Sequence, residues 1–140
     1  MLIWQKEDYG LRFTFADPLT LEETEQWRDA VRALVPGLSE GFGVFVDMRE
    51  LELIPPVCKP IIEEIQIFCK RNGLGRSVLI LAEELTAMQL KVIASRTGIR
   101  EWERYLIASR TADWERIGVE WLVNAVEPDG RVQQQVSGTP

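Results

Sequence analysis

Two short segments of the chain are almost continuously apolar, and they constrain the fold more than any other feature. They are FGVFVDM at positions 42–48 and SVLILA at positions 77–82. Runs of this length and composition are typical of strands covered on both faces, as in a parallel sheet with helices on either side. A third run, RYLIAS at positions 104–109, has the same character and predicts another strand of this sheet.

The segments that follow these strands have the spacing of amphipathic helices. After the first strand, apolar residues recur at helical intervals before an Asn72-Gly73 stop: Ile61, Ile62, Ile65, Phe68 and Cys69. Positions 84–97 predict a helix that ends at Gly98 and buries Leu85, Met88, Val92 and Ile93. Thr111 is predicted to cap a last helix, whose inward side chains are Trp114, Ile117, Trp121 and Leu122.

The amino-terminal part predicts a hairpin and a further helix. Strands at 2–7 and 11–15 are joined at Asp8-Tyr9-Gly10, and the second alternates apolar and polar residues with period two. A capping box of Thr20 and Glu23 opens the helix, and Pro36-Gly37 stops it.

The complete predicted order is ββαβαβαβα. This order predicts an α/β fold with a mixed, mainly parallel five-stranded sheet, an antiparallel edge from the hairpin, and four flanking helices. Positions 1–126 are expected to form a single domain, and the polar segment 127–140 is expected to be a disordered tail.

Composition excludes several classes of function. Sixteen basic residues against twenty-two acidic ones give a net charge of −6, which disfavours nucleic acid and anionic membrane surfaces as partners. The chain has no histidine, so His-based catalysis and His metal sites are excluded. With no catalytic constellation in view we expect no enzyme, no cofactor and no His-ligated metal site, and the lack of a long apolar run predicts no membrane insertion.

The two cysteines, Cys58 and Cys69, are expected to be reduced. On one helix they would be separated by about 16 Å along the axis, and a disulfide needs Cα atoms within about 7 Å. Free thiols and a charged amino terminus without a signal-peptide pattern predict a cytoplasmic protein.

The segment FVDMRELELIPPVCKPII carries a resemblance to a known family. Asp47 stands at a strand end, Ile54 precedes a turn, and Pro55, Pro56, Val57 and Cys58 occupy that turn before a helix. Together with the element order, this resembles the STAS-type domains, the family of the anti-sigma-factor antagonists. The carboxy-terminal half, with its closing Trp121-Leu122, is similar to the SpoIIAA-like branch of small bacterial proteins. The resemblance covers about residues 1–126.

The resemblance implies a regulatory module that binds proteins. One departure from the family pattern concerns the phosphorylated turn that regulates this binding in the classical antagonists. In the classical antagonists an acidic-Ser-Ser-Gly turn is phosphorylated on its second serine, which switches partner binding. The matching position here is Val57, next to Pro56, and neither has a hydroxyl group. A phosphate switch at this turn is therefore not expected.

Asp47 and the loop after it are the first candidate site, because ligands of open α/β sheets bind at the carboxyl ends of the strands. Asp47 can pair with Arg49 as part of a ligand-binding site, or it can cap the loop by accepting hydrogen bonds from backbone N–H groups. Residues 54–57 offer an apolar lip for a partner or ligand, or Pro55-Pro56 serve only to start the helix. Cys58 is either a packed small residue or a thiol activated by the helix start.

Two further candidates lie outside the loop. Glu83 and Glu84 end the next strand and, with Asp47, offer oxygen ligands for a divalent cation, although acids at a helix start are also common caps. Trp102 lies in a charged loop and is either an exposed partner anchor or a cover for the sheet edge.

Two functional hypotheses follow. The first is a non-enzymatic binding module for a protein partner, with a homodimer as one form. The second is a carrier of a small apolar ligand held between the helices and the sheet.

Overall fold

The computed structural model describes residues 1–16 and 18–128, and the order of its elements is the predicted ββαβαβαβα. The strands are β1 (Leu2–Glu7), β2 (Gly10–Phe15), β3 (Phe42–Met48), β4 (Leu74–Leu81) and β5 (Glu103–Ile107). The helices are α1 (Leu21–Leu34), α2 (Lys59–Arg71), α3 (Glu84–Thr97) and α4 (Trp114–Asn124). The predicted tail at 127–140 falls almost entirely outside the described residues.

The strands form one mixed sheet in which spatial order follows chain order, β1-β2-β3-β4-β5. β1 pairs with β2 antiparallel, and the other three pairs are parallel. The predicted α/β class, with a mainly parallel sheet and an antiparallel hairpin at its edge, is confirmed. β4 begins at Leu74 rather than at the predicted Ser77, and β5 ends at Ile107 rather than Ser109.

The helices cover the two faces of the sheet unequally. Helices α1, α2 and α3 pack on one face, here called the three-helix face, over the side chains of Phe13, Phe15 and Val46. Among the described elements, helix α4 alone covers the other face, where Trp121 and Leu122 pack with Phe45, Val78, Ile80 and Leu106. Every residue of β3 is buried, as the continuous apolar run predicts.

Most of the predicted helix boundaries are confirmed by their contacts. The Thr20 hydroxyl accepts the Glu23 N–H at 3.1 Å at the start of α1, and α3 ends at Gly98 with a left-handed φ of 88°. The predicted cap of α4 at Thr111 is wrong. Thr111 instead closes a 3₁₀ turn by donating its N–H to Ala108, and α4 begins at Trp114 after Asp113.

The predicted buried side of α3 is also wrong for three of its four residues. Leu85, Met88 and Val92 are exposed, and only Ile93 is buried. The helix instead buries a stripe of smaller residues: Thr86, Ala87, Leu90, Ile93, Ala94 and Thr97. Small side chains let the helix approach its neighbours closely, and its buried hydroxyls find acceptors at Glu52, Ala94 and Gln66.

Close packing of α4 on the sheet generates a stability prediction at Gly118. A Cβ atom there would lie 2.8 Å from the buried Phe45 ring and 3.3 Å from Val78, so Gly118→Ala must displace the helix or the ring. We expect it to lower the free energy of unfolding by about 1–2 kcal/mol, the cost of overpacking less the gain in helix propensity. Urea denaturation measures this change.

The matched control is Gly37→Ala, because a Cβ atom added at that glycine would have no neighbour within 4 Å. If the two variants unfold at the same urea concentration, α4 is not packed as closely as described.

Candidate functional site

Asp47 lies at the carboxyl end of β3 on the face covered by α4, and its carboxylate is almost fully buried. Arg49 holds it with two side-chain bonds, Nε to Oδ1 and a terminal nitrogen to Oδ2, both at 2.9 Å. The backbone N–H of Arg49 also donates to Oδ1, at 3.2 Å. Both predicted roles therefore occur together: the carboxylate pairs with Arg49 and caps the turn after the strand.

The Arg49 guanidinium connects this turn to α4. Its central carbon lies 4.3 Å from the centre of the Trp114 ring, within the range of a cation–π contact. The hydrogen bonds that Arg49 donates to the Asp47 carboxylate raise the pKa of Arg49 above its ordinary value. The pair is thus an intramolecular support at the sheet edge, and little of the Asp47 carboxylate is left to bind a ligand.

The loop from β3 to α2 turns its alternate apolar residues in opposite directions. Leu51, Ile54 and Cys58 are almost fully buried in the core of the three-helix face. Leu53 and Val57 are more than half exposed. Of the predicted contact residues, Ile54 and Cys58 therefore anchor the loop, whereas Pro56 and Val57 are accessible and Pro55 is partly so.

Helix α3 holds this loop in place by polar contacts. The Thr86 hydroxyl donates to the Glu52 carbonyl. The Gln89 side chain accepts the Ile54 N–H at 2.9 Å and donates to the Ile54 carbonyl at 3.2 Å, which satisfies both backbone groups of that residue. Loop and helix therefore form one continuous surface at this end of the sheet.

Five large apolar side chains are exposed on that surface. Each has about half of its area or more open to solvent, and together we call them the exposed apolar surface: Leu53, Val57, Leu85, Met88 and Val92. On α3 they recur at i, i+3 and i+7, so they form one stripe. A groove of about 280 Å³ runs between this stripe and α2, where Glu63 and Arg96 form an ion pair at its rim.

The predicted carboxylate cluster does not assemble. Glu83 is exposed at the start of α3, Glu84 pairs with Arg110 at 2.7 Å, and Asp47 is held by Arg49. Within residues 1–16 and 18–128, no group of three or more Cys, Asp or Glu side chains could hold a metal ion.

Trp102 lies at the opposite end of the sheet from the loop. It ends a 3₁₀ turn that leads into β5, at the amino ends of the parallel strands, and 45% of its side-chain area is exposed. The structure therefore does not bring Trp102 together with Asp47 and residues 54–58.

A buried polar cluster on the three-helix face was not predicted. Glu103 of β5 is 3% exposed and lies opposite Ser77 of β4. Its carboxylate accepts hydrogen bonds from the Ser77 and Tyr105 hydroxyls. One signal was available: in ERYLI, Glu103 shares a face with Tyr105 and Ile107, so a carboxylate points inward with apolar residues.

Burial controls the protonation of this cluster. Desolvation raises the pKa of Glu103 to about 7, against the opposing effects of the Tyr105 and Ser77 hydrogen bonds and the Arg100 charge. Burial, and then the Glu103 charge, raise the pKa of the Cys69 thiol to about 12 and hold the pKa of Tyr105 well above its usual range.

A small cavity adjoins the cluster between the three helices and the sheet. It is lined mainly by apolar side chains, together with Trp27, Gln66, Ser77 and Glu103, and has a volume of about 40 Å³. At roughly 10–15 Å³ for each water molecule, it has room for only a few of them.

Comparisons with known proteins identify the fold. No protein-family model matches the chain, and no curated protein matches it. A solved structure of a variant of RsbS from Moorella thermoacetica, a STAS-domain protein with one serine replaced by glutamate, matches with a TM-score of 0.62 at 19% sequence identity. The match covers 89% of this chain and 96% of that one. The chain therefore has the STAS-like fold, as the resemblance in sequence predicted.

None of the helices in the described part of the chain is long and apolar enough to cross a membrane.

The Asp47–Arg49 pair generates a prediction about stability. Arg49→Ala removes two hydrogen bonds from a buried carboxylate and the stacking on Trp114, so we expect a loss of about 1–3 kcal/mol in the free energy of unfolding. In the Asp47→Asn background the same change should cost less, because the unpaired charge is gone. Chemical denaturation of the four proteins of this cycle measures the coupling. Equal costs in the two backgrounds would contradict the pairing.

The buried carboxyl group of Glu103 generates a prediction about how the stability of the fold depends on pH. Because its pKa is raised in the folded protein, the protonated form stabilises the fold below about pH 4.5, and this contribution is lost as the pH rises to about 7. The loss is on the order of 3 kcal/mol. Unfolding measured from pH 4 to 8 should therefore show wild type weakening relative to Glu103→Gln across this window. Parallel profiles would exclude a buried titrating carboxyl here.

Proposed function

We propose that the protein is a non-enzymatic cytoplasmic binding module of the STAS-like type, and that a protein partner binds its exposed apolar surface. The observation that carries this proposal is the stripe of Leu85, Met88 and Val92, three apolar side chains left open on α3, together with the exposed Leu53 and Val57 on the loop that α3 holds. Apolar side chains grouped on one surface commonly mark sites of protein contact.

A protein fits this surface better than a small molecule. The apolar side chains are spread over a loop and a helix, and the groove beside Met88 and Val92 is open to solvent. Charged groups surround it, including the Glu63–Arg96 pair and Lys59. An apolar centre with a charged rim is the usual anatomy of a protein interface.

Binding at this surface is proposed to be independent of phosphorylation of the loop. Pro55, Pro56 and Val57 have no hydroxyl, and the thiol of Cys58 is buried. The loop is held by proline and by its contacts with Thr86 and Gln89, so it presents Val57 without an ordering step.

The cytoplasmic setting rests on the cysteines. Cys58 and Cys69 are both free and both buried, a state that a reducing compartment preserves. The homodimer expected from the sequence also belongs to this proposal.

The alternative, a carrier of a small apolar ligand between helices and sheet, is not favoured by the space in the core. The cavity found there has a volume of about 40 Å³, which is too small for a lipid chain.

Photo-crosslinking in extract of the source organism tests the proposal. A photoreactive amino acid at position 88 should give a crosslinked product with a partner protein. Unlabelled wild-type chain should compete this product away, whereas a Met88→Lys, Val92→Lys double variant should not, because charges on the stripe disfavour burial.

The matched control places the same photoreactive group at Val123, an apolar residue of α4 with similar exposure on the other side of the sheet. A product that forms equally from both positions, or no product from position 88, would overturn the proposed surface.

A further inference from the structure

Strand β1 forms one edge of the sheet, and one set of its backbone groups faces outward. Its register with β2 pairs Ile3 with Thr14 and Gln5 with Arg12. The Ala16 N–H donates to the Met1 carbonyl at 2.9 Å, which makes the odd-numbered residues of β1 the hydrogen-bonded ones in the antiparallel ladder. The N–H and C=O groups of Leu2, Trp4 and Lys6 therefore point away from β2.

At the opposite edge of the sheet, a side chain occupies part of the exposed backbone. On β5, the Arg104 side chain donates to the carbonyls of Glu101 and Glu103 and forms an ion pair with Glu127. In the described part of the chain no element lies beyond β1 in the sheet. An uncovered edge of this kind is the usual place for a strand to pair with another chain.

The side chains of β1 favour such pairing. Ile3 and Trp4 are each 49% exposed, and they lie on opposite faces of the sheet. Among the described elements, helix α4 packs mainly against β3, β4 and β5, and Ile3 stays half exposed on that face of the sheet. The charges of Lys6 and Glu7 cancel within the strand, although the whole chain carries −6. Two copies can therefore bring this edge together without a net repulsion between the strands.

We propose that β1 pairs antiparallel with β1 of a second copy, about a two-fold axis at Gln5, to form a continuous ten-stranded sheet. In an antiparallel pair, two residues directly opposite each other point to the same face of the sheet. Side chains alternate between the faces along a strand, so opposite positions differ by an even number and the two-fold axis passes through a residue. An axis at Gln5 places Trp4 opposite Lys6 of the second copy, where the ammonium group can lie over the indole ring. It places Ile3 opposite Glu7 of the second copy and keeps like charges from facing each other directly.

This proposal rests on the homodimer of the proposed function and assigns it a surface separate from the partner site. β1 lies at the far edge of the sheet from β5, and the exposed apolar surface belongs to α3 and the β3–α2 loop. The dimer would therefore leave both copies of that surface open.

Light scattering on the purified full chain tests the pairing with Trp4→Pro. Proline removes only an N–H that points outward, so the bonds between β1 and β2 remain, and edge strands tolerate proline at such positions. Wild type should show twice the chain mass, and Trp4→Pro should show the chain mass with an unchanged circular dichroism spectrum. A monomeric wild type at millimolar concentration, or a Trp4→Pro variant that stays dimeric, would overturn the proposal.

Disulfide trapping provides a second test that does not depend on proline. Cys58 and Cys69 are buried, so Gln5→Cys adds an accessible thiol. Facing Gln5 residues would have Cα atoms about 4.5 Å apart, within the range of a disulfide. Under mild oxidation Gln5→Cys should form a covalent dimer much faster than the control Val123→Cys. Equal rates would exclude the pairing.

The two proposals fail in different ways. The Met88→Lys, Val92→Lys variant should lose the crosslinked partner and remain a dimer, whereas Trp4→Pro should keep the partner and lose the dimer. A dimer that dissociates on substitution of Met88 and Val92 but not of Trp4 would overturn pairing through β1 and leave the binding module standing.

Discussion

Complete burial of β3 is the constraint on which the rest of the structure depends. A strand that is apolar on both faces needs a cover on each side, and three helices supply one of them. In the part of the chain that the structure describes, the other cover is α4, which is fixed closely to the sheet. Gly118 lets it approach the Phe45 ring, and the Trp121 Nε1–H donates to the Ser77 carbonyl at 2.9 Å. Arg76 of β4 then donates to the carbonyls of Trp121 and Leu122 near the end of the helix.

The same constraint explains the chemistry at the end of β3. Asp47 is the first polar side chain of this strand, and its alternation with Phe45 directs it towards α4. A carboxylate there needs neutralisation, which Arg49 provides from the next turn while stacking on Trp114. Asp47 is therefore part of the support for α4. The surface proposed for a partner lies on the three-helix side of the loop, where Val57 and the stripe of α3 are open to solvent.

The sequence was sufficient to predict the strands and helices and their order, because continuous apolar runs and capping residues are local signals. Thr20 with Glu23 and the glycine at position 98 mark their helix ends without reference to the rest of the chain. The buried face of α3 could not be predicted in this way. Its sequence carries two apolar stripes, and which of them faces the core is set by contacts with α2, β4 and β5, which lie elsewhere in the chain.

The candidate site was predictable only in part, for related reasons. Residues 54–58 were identified as a group, but which of them point inward depends on Thr86 and Gln89 of α3, which are distant in sequence. Glu103 looked like an ordinary charged residue of the segment REWER. Its alternation with Tyr105 and Ile107 is a local signal for an inward side chain, but its register opposite Ser77, which supplies a hydroxyl partner, is not. The contacts of these side chains depend on which distant segments of the chain lie next to each other. Local patterns in a single sequence do not specify that pairing.

The identity between strand order and chain order has a consequence for how the protein is made. Each strand pairs with the one before it, so a nascent chain can add strands to the sheet in the order of synthesis and never has to insert one between two others. The face of β3 beneath α4 is the exception. Helix α4 is the last of the described helices in the chain, so Phe45 and its neighbours on this face stay uncovered until that helix has been made.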